Sequence, residues 1–140
     1  MNRRARVLVV DDGEGMLSLA LRDALVQHDV LVARDAIEAI YRLDGEGRPF
    51  DLIFCDLARG DLPGPELWAY LSLHRAHDAR RIVFVASGPL RPETQMFLEE
   101  VPNVCIELPL DSESLHMLAV RRASPPPGSL SRVELGGSNR

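Results

Sequence analysis

A doubly wound parallel α/β sheet is the fold class that the sequence predicts, and three observations predict it. Five short runs rich in β-branched residues alternate with longer stretches of helical period. The runs are largely apolar, which is typical of strands covered by helices on both faces. The first and third runs end abruptly in aspartates, as strands do where their carboxyl ends form a ligand crevice.

The strand predictions follow the five apolar runs. They are residues 6–10 (RVLVV), 30–33 (VLVA), 51–55 (DLIFC), 81–86 (RIVFVA) and 104–108 (VCIEL).

Helices are predicted between the strands and after the last one. The first carries apolar residues at Leu17, Leu21, Ala24 and Leu25, and the second at Ile37, Ile40 and Tyr41, after Asp35 as a cap. The third runs from about Pro65 to His74 and the fourth from about Pro92 to Val101. The fifth starts after Asp111 and presents Leu115, Leu118 and Ala119.

Length and charge limit the possible functions. A chain of 140 residues is long enough for one domain with a single core. The net charge of -5 argues against a nucleic-acid partner or an anionic membrane surface. Residues 124–140 are rich in Pro, Gly and Ser, so we predict a globular domain over 1–123 and a flexible tail over 124–140.

The two cysteines and the lengths of the apolar runs indicate the cellular compartment of the protein. Cys55 and Cys105 both sit in apolar stretches, where unpaired thiols suit a reducing environment. The basic start lacks the long apolar run of a signal sequence, and no stretch has the length of a membrane span. These features predict a cytoplasmic protein.

Three aspartates follow strands that are expected to be neighbours. Asp11 and Asp12 leave the first strand and Asp56 leaves the third, so all three are expected at one edge of the sheet. Like charges that close repel unless a cation lies between them. A hard divalent ion such as Mg²⁺ is therefore the predicted ligand.

At these positions the chain resembles the receiver domains of bacterial two-component response regulators. The resemblance covers about residues 5–122 and rests on VLVVDD, DLIFCD, LPGPEL, RIVFVA with Ser87-Gly88, and ELPL. It implies the CheY-like (βα)5 fold, which is flavodoxin-like, with strand order 2-1-3-4-5.

The resemblance also implies roles for individual residues. Asp56 matches the aspartate that takes a phosphoryl group from a histidine kinase, and Asp11 and Asp12 match the acidic pair that helps it to hold magnesium. The backbone carbonyl of Ala58 falls at a further metal-ligand position, and Gly64 falls where the family usually has a glycine.

The chain departs from the family at three further positions. In the gap-free register, Ala86 falls at the Ser/Thr position after the fourth strand, Leu108 at the lysine position and Cys105 at the aromatic switch position. Ser87 is a possible substitute hydroxyl, although alternation along a strand would point it to the other face. Leu108-Pro109 falls where receivers commonly have a cis peptide bond.

Two functional interpretations remain open. The chain is either a single-domain receiver that is phosphorylated on Asp56 but has atypical output, or a pseudo-receiver that binds a partner whatever the state of Asp56. The implied partners are a histidine kinase or phosphotransfer protein, and a downstream protein on the surface of the fourth helix, fifth strand and fifth helix (α4-β5-α5 in the family). A monomer or weak homodimer is expected.

Enzyme classes are less well supported. A phosphatase of the haloacid dehalogenase type also starts with a strand ending in aspartates, but it needs a lysine and this chain has none. A nucleotide-binding Rossmann module needs a third glycine after Gly13 and Gly15. We therefore predict no enzyme activity beyond self-catalysed phosphoryl transfer and autodephosphorylation. The four histidines show no ligand spacing and are predicted to be solvent-facing or helix-terminal.

Overall fold

The structure is a computed structural model, and it describes residues 4–11, 16–45, 47, 49–57 and 64–123. Its centre is a five-stranded parallel sheet with the order β2-β1-β3-β4-β5. The strands are β1 (Arg6–Val10), β2 (Asp29–Ala33), β3 (Leu52–Asp56), β4 (Ile82–Ala86) and β5 (Cys105–Glu107). The predicted fold class and strand order are confirmed, and this order differs from the 3-2-1-4-5-6 arrangement of Rossmann modules.

Six helices accompany the sheet among the described residues, one more than predicted. They are α1 (Met16–Ala24), α2 (Ala36–Gly45), α3 (Gly64–His74), α4 (Ala76–Arg80), α5 (Pro92–Glu100) and α6 (Ser112–Arg122). The additional helix is the single turn and a half of α4, which is too short to show helical period in a sequence. The predicted partner surface therefore consists of α5, β5 and α6. Residues 124–140, predicted as a tail, lie outside the described residues.

The sheet is covered on both faces, and alternate strand residues point to opposite faces. Val7 and Val9 of β1 belong to one apolar cluster, together with residues of α1 and α6. Leu8 and Val10 belong to the other cluster, together with residues of α2 and α3. We call these the α1/α6 face and the α2/α3 face.

Helix capping follows the prediction, but the buried side of α2 does not. Asp35 accepts a hydrogen bond from the Glu38 backbone N–H at 2.8 Å, and Asp111 accepts one from Ser114 N–H at 2.7 Å. Ile37 and Tyr41, predicted to face the core, are 80% and 74% exposed. The buried side chains are instead Ala39 and Leu43, because α2 lies over the edge strand, where a narrow stripe is enough.

Two contacts fix loops at the two edges of the sheet. Gly64 begins α3 so close to the end of β3 that a Cβ there would lie 2.5 Å from a methyl carbon of Leu57. Asn103 donates hydrogen bonds of 2.8 Å to the carbonyls of Ala79 and Ile82, and accepts one of 3.0 Å from the Trp68 indole N–H. Asn103 thus ties the approach of β5 to the start of β4.

None of the helices in the described ranges has both the length and the apolar character that crossing a bilayer requires.

Candidate functional site at the carboxyl edge of the sheet

Asp11 follows β1 and is completely buried. Its backbone N–H donates to the Ala33 carbonyl at 2.9 Å, which extends the pairing of β1 with β2 by one residue. One carboxylate oxygen, Oδ2, accepts hydrogen bonds from the Ser18 hydroxyl at 2.5 Å and from the Ser18 backbone N–H at 3.2 Å. The other, Oδ1, is buried and has no hydrogen-bond partner among the described residues.

Ser18 was not identified from the sequence, although it has a clear role in orienting Asp11. The sequence shows only a polar residue beside Leu17 on the apolar stripe of α1, and the burial of Ser18 becomes apparent in the structure. A hydroxyl at such a position requires a hydrogen-bond partner, and the carboxylate at the end of the neighbouring strand provides it.

Asp56 ends β3 and is 1% exposed. The Ser87 hydroxyl lies 3.0 Å from its Oδ1 and 2.9 Å from its Oδ2, and donates to this carboxylate. Just beyond Asp56, the Leu57 backbone N–H donates to the Val85 carbonyl at 2.8 Å. This bond keeps the end of β3 paired with β4 and so holds Asp56 and Ser87 together.

The side chain beside Asp56 is that of Ser87, the possible substitute hydroxyl, and not that of Ala86. Val83 and Val85 lie on the α1/α6 face, and Ser87 follows with the same parity. Ile82 and Phe84 lie on the α2/α3 face, whose parity Ala86 shares. Ser87 reaches the aspartate without a change of backbone path, because it has the parity of Val83 and Val85 and Asp56 has that of Phe54, on the same face of the sheet.

The register of the sheet also brings Asp11 and Asp56 together. Val10 pairs with Cys55, and the two aspartates are the next residues on neighbouring strands, which lie about 4.8 Å apart in a sheet. Burial, followed by the charges of Asp56 and Asp11, raises the pKa of the Cys55 thiol to about 12. The negative charges of Asp11 and Asp56 therefore both act on the Cys55 thiol.

This arrangement suits a hard cation. Two buried carboxylates lie at the ends of neighbouring strands, and one of their oxygens has no donor among the described residues. Oxygen ligands of this kind are those that Mg²⁺ takes in proteins. Asp12 and Ala58, the other predicted ligands, lie outside the described residues, and within the described ranges no group of three candidate ligands is formed.

The position of the expected aromatic ring, Cys105, begins β5, and the position of the expected lysine, Leu108, directly follows it. The Leu108-Pro109 peptide bond is cis, and the Leu108 backbone N–H donates to the Ala86 carbonyl at 3.0 Å. The Leu108 side chain is partly buried against the cluster on the α1/α6 face. Leu108 therefore brings an apolar side chain where the resemblance leads one to expect a charge.

Cys105 lies on the opposite side of β5 and is half-buried. It lines a groove of about 620 Å³ between β4, β5 and α5, together with Ala86, Leu90, Leu98 and Leu108. Both cysteines are free thiols, as predicted. The groove is lined by both apolar and polar side chains, the latter including Gln95 and Glu107.

The fold is similar to that of response-regulator receiver domains, and the comparison with solved structures confirms this resemblance. The chain is similar to a CheY-like receiver domain protein from Methanospirillum hungatei JF-1, with a TM-score of 0.65 and 22% identity over 96% of this chain and 99% of that one. No protein-family model matches the sequence, and neither does any curated protein.

Two further receiver structures are similar over most of their lengths. The chemotaxis response regulator CheY4 of Vibrio cholerae has a TM-score of 0.61 and 24% identity over 85% of this chain and 98% of that one. The receiver domain of the sensor histidine kinase PA1611 from Pseudomonas aeruginosa PAO1 has a TM-score of 0.63 and 18% identity over 84% of this chain and 96% of that one. The latter structure holds a magnesium ion in its active-site cleft.

Proposed function

We propose that this chain is a receiver domain in two-component phosphorelay signalling, with Asp56 as the phosphoacceptor. The observation that supports this most directly is the hydrogen bond from the Ser87 hydroxyl to the Asp56 carboxylate. The neighbouring strand ends in the buried Asp11, whose Oδ1 has no hydrogen-bond partner among the described residues. A structural aspartate would not need a second buried carboxylate beside it, because two close negative charges destabilise each other.

The proposed reaction is a phosphoryl transfer to a carboxylate. An oxygen of Asp56 attacks the phosphorus of a phosphohistidine on the kinase or phosphotransfer protein. The P–N bond breaks, its electron pair returns to the imidazole, and an acyl phosphate forms on Asp56. Autodephosphorylation then follows when water attacks this phosphorus and the carboxylate leaves. Since the acceptor is the protein's own side chain, the chain is a signalling module and not an enzyme with turnover.

Ser87 and the acidic residues would share the stabilisation of the transferred group. The Ser87 hydroxyl, now donating to Asp56, would donate to a phosphoryl oxygen instead. We propose that Asp11, Asp12, Asp56 and the Ala58 carbonyl hold Mg²⁺. The structurally similar PA1611 receiver domain has a magnesium ion in its active-site cleft. When bound, this ion supplies the positive charge that offsets the charge on the equatorial oxygens.

The output of this receiver is proposed to be atypical. Leu108 brings no positive charge to the phosphoryl site, and Cys105 is too small to act as a rotating aromatic switch. A downstream partner would bind on α5, β5 and α6, the surface that contains the Cys105 groove. The protein is proposed to act in the cytoplasm as a monomer or weak homodimer.

A second candidate is a pseudo-receiver that binds its partner without phosphorylation. The partial burial of Leu108 in the apolar cluster favours it, because a residue anchored there does not respond to charge at Asp56. In this case the same α5-β5-α6 surface would bind the partner equally well before and after treatment with a phosphodonor.

Intact mass spectrometry separates the two candidates. The full chain is incubated with Mg²⁺ and a small acyl phosphate, beside Asp56→Asn and the matched control Asp111→Asn, which keeps the cap of α6. A mass gain of one phosphoryl group in the parent and the control, but not in Asp56→Asn, supports the receiver. If the parent gains no mass, or if Asp56→Asn gains it as well, the proposed phosphoacceptor is wrong.

A further inference from the structure

His28 is buried and its hydrogen bonds define its protonation state. The side chain is 5% exposed, in the turn between α1 and β2. The Ala5 backbone N–H, just before β1, donates to His28 Nδ1 at 2.9 Å. This nitrogen must therefore be an unprotonated acceptor, and the proton of the neutral ring is on Nε2.

The same argument then applies to His116 on α6. His28 Nε2 lies 3.0 Å from His116 Nδ1, and the two ring centroids are 5.0 Å apart. Since His28 Nε2 carries the proton, His116 Nδ1 must accept it and is also unprotonated. A chain of two hydrogen bonds thus runs from the backbone before β1, through His28, to the middle of α6. The prediction that the histidines are solvent-facing or helix-terminal is wrong for this pair.

A proton added to either acceptor breaks this chain. On His28 Nδ1 it would oppose the Ala5 N–H, and on His116 Nδ1 it would oppose the His28 Nε2–H. Other described charged groups near the pair are Arg4, which forms an ion pair of 2.8 Å with Asp29 of β2, and Arg22 of α1, which lines the same groove as His28.

We propose that the His28–His116 pair is a pH-sensitive latch, which holds α6 against the start of the sheet while both imidazoles are neutral and releases it on acidification. This regulation is separate from the phosphoryl chemistry, because the latch lies at the amino edge of the sheet and the aspartates lie at the carboxyl edge. It nevertheless acts on α6, which forms one side of the proposed partner surface.

The direction of the effect follows from burial. Burial, the neighbouring His116 and the positive charge of Arg4 lower the pKa of His28, and the charge of Asp29 only partly opposes them. The folded protein therefore binds this proton less readily than the unfolded chain. The latch contributes fully above the ordinary histidine pKa, and its contribution is lost as the pH falls below about 6.5.

Amide hydrogen exchange and imidazole NMR on the full chain test the latch. We expect His28 to be the Nε2–H tautomer at about pH 7.5, with a titration midpoint below the ordinary histidine value of about 6.5. His77, an exposed histidine on α4, provides a control position. Between about pH 7 and about pH 5.5, α6 protection, corrected for intrinsic exchange, should fall relative to α3 by up to about tenfold per pH unit.

Two variants sharpen the test. His116→Asn keeps an acceptor oxygen near the Nδ1 position but cannot be protonated, so the loss of α6 protection should become shallower. The matched control His77→Asn should leave it unchanged. The proposal is overturned if His28 titrates at or above the ordinary histidine value of about 6.5, or if parent α6 protection follows that of α3 at both pH values. It is also overturned if His116→Asn and His77→Asn respond alike.

Discussion

The contact between Ser87 and Asp56 predicts an energetic coupling that can be measured without any phosphodonor. A hydrogen bond to a charged group contributes about 1.5–3 kcal/mol to stability. Ser87 is only partly buried, and its single proton is shared between two oxygens at 3.0 and 2.9 Å, so the lower part of that range applies. We expect Ser87→Ala to reduce the unfolding free energy by about 1.5–2 kcal/mol.

In an Asp56→Asn background the same substitution should cost less. The amide oxygen can still accept from Ser87, but a neutral bond contributes only about 0.5–1 kcal/mol. The difference is a coupling energy of about 1 kcal/mol, which exceeds the scatter of about 0.3–0.5 kcal/mol found for independent sites.

Urea unfolding of the parent, the two single variants and the double variant measures this coupling. Ser72→Ala serves as the control, because this half-buried hydroxyl donates to the Trp68 carbonyl within its own helix at 2.8 Å. Its loss should cost less than about 0.5 kcal/mol in either background. Additive effects of Ser87→Ala and Asp56→Asn would refute the proposed interaction between the two side chains.

Three further predictions concern contacts around the sheet and the reactivity of the two cysteines. Gly64→Ala should lower the unfolding free energy by about 1–3 kcal/mol, because the new Cβ meets a buried leucine side chain, and an unchanged melting temperature in calorimetry would contradict this. Asn103→Ala should lower the unfolding free energy by about 2–3 kcal/mol in a urea titration followed by Trp68 fluorescence, because two carbonyls and the indole lose their hydrogen-bond partner. A loss below about 0.5 kcal/mol would show that water replaces the side chain. The buried Cys55, with a pKa of about 12, should not react with a thiol reagent at about pH 8 in the folded protein, whereas Cys105 in its groove should react slowly. Cys105→Ser should therefore abolish the reaction, and two reactive thiols in the parent would refute the assignment.

Much of the fold could be predicted from residue pattern because the pattern reflects burial. The five apolar runs are strands within a residue or two of the predicted bounds, since a strand covered on both faces must be apolar throughout. Asp35 and Asp111 were identified as caps, because capping is decided by neighbours within four residues. The short helix α4 and the outward side of α2 were missed, because both depend on what packs against the chain from elsewhere.

The residues of the candidate site could likewise be predicted only in part from the sequence. Asp11 and Asp56 are found from the sequence alone, because each directly follows a recognisable strand and parallel strands share one carboxyl edge. Ser87 was assigned to the wrong face, because the pairing of β3 with β4 decides the register, and a shift of one residue exchanges the two faces of a strand. Ser18 required the packing of α1 against β1 before its partner was apparent.

The amino-acid sequence by itself therefore determined the layers of the fold and the positions of Asp11 and Asp56 at strand ends, since these follow from local composition. The tertiary structure decided which side chains meet across long separations. It brought Ser87 onto Asp56, 31 residues away, and His28 onto His116, 88 residues away. Such contacts depend on strand register and helix docking, which arise from the summed packing of the whole domain and leave no mark at either residue.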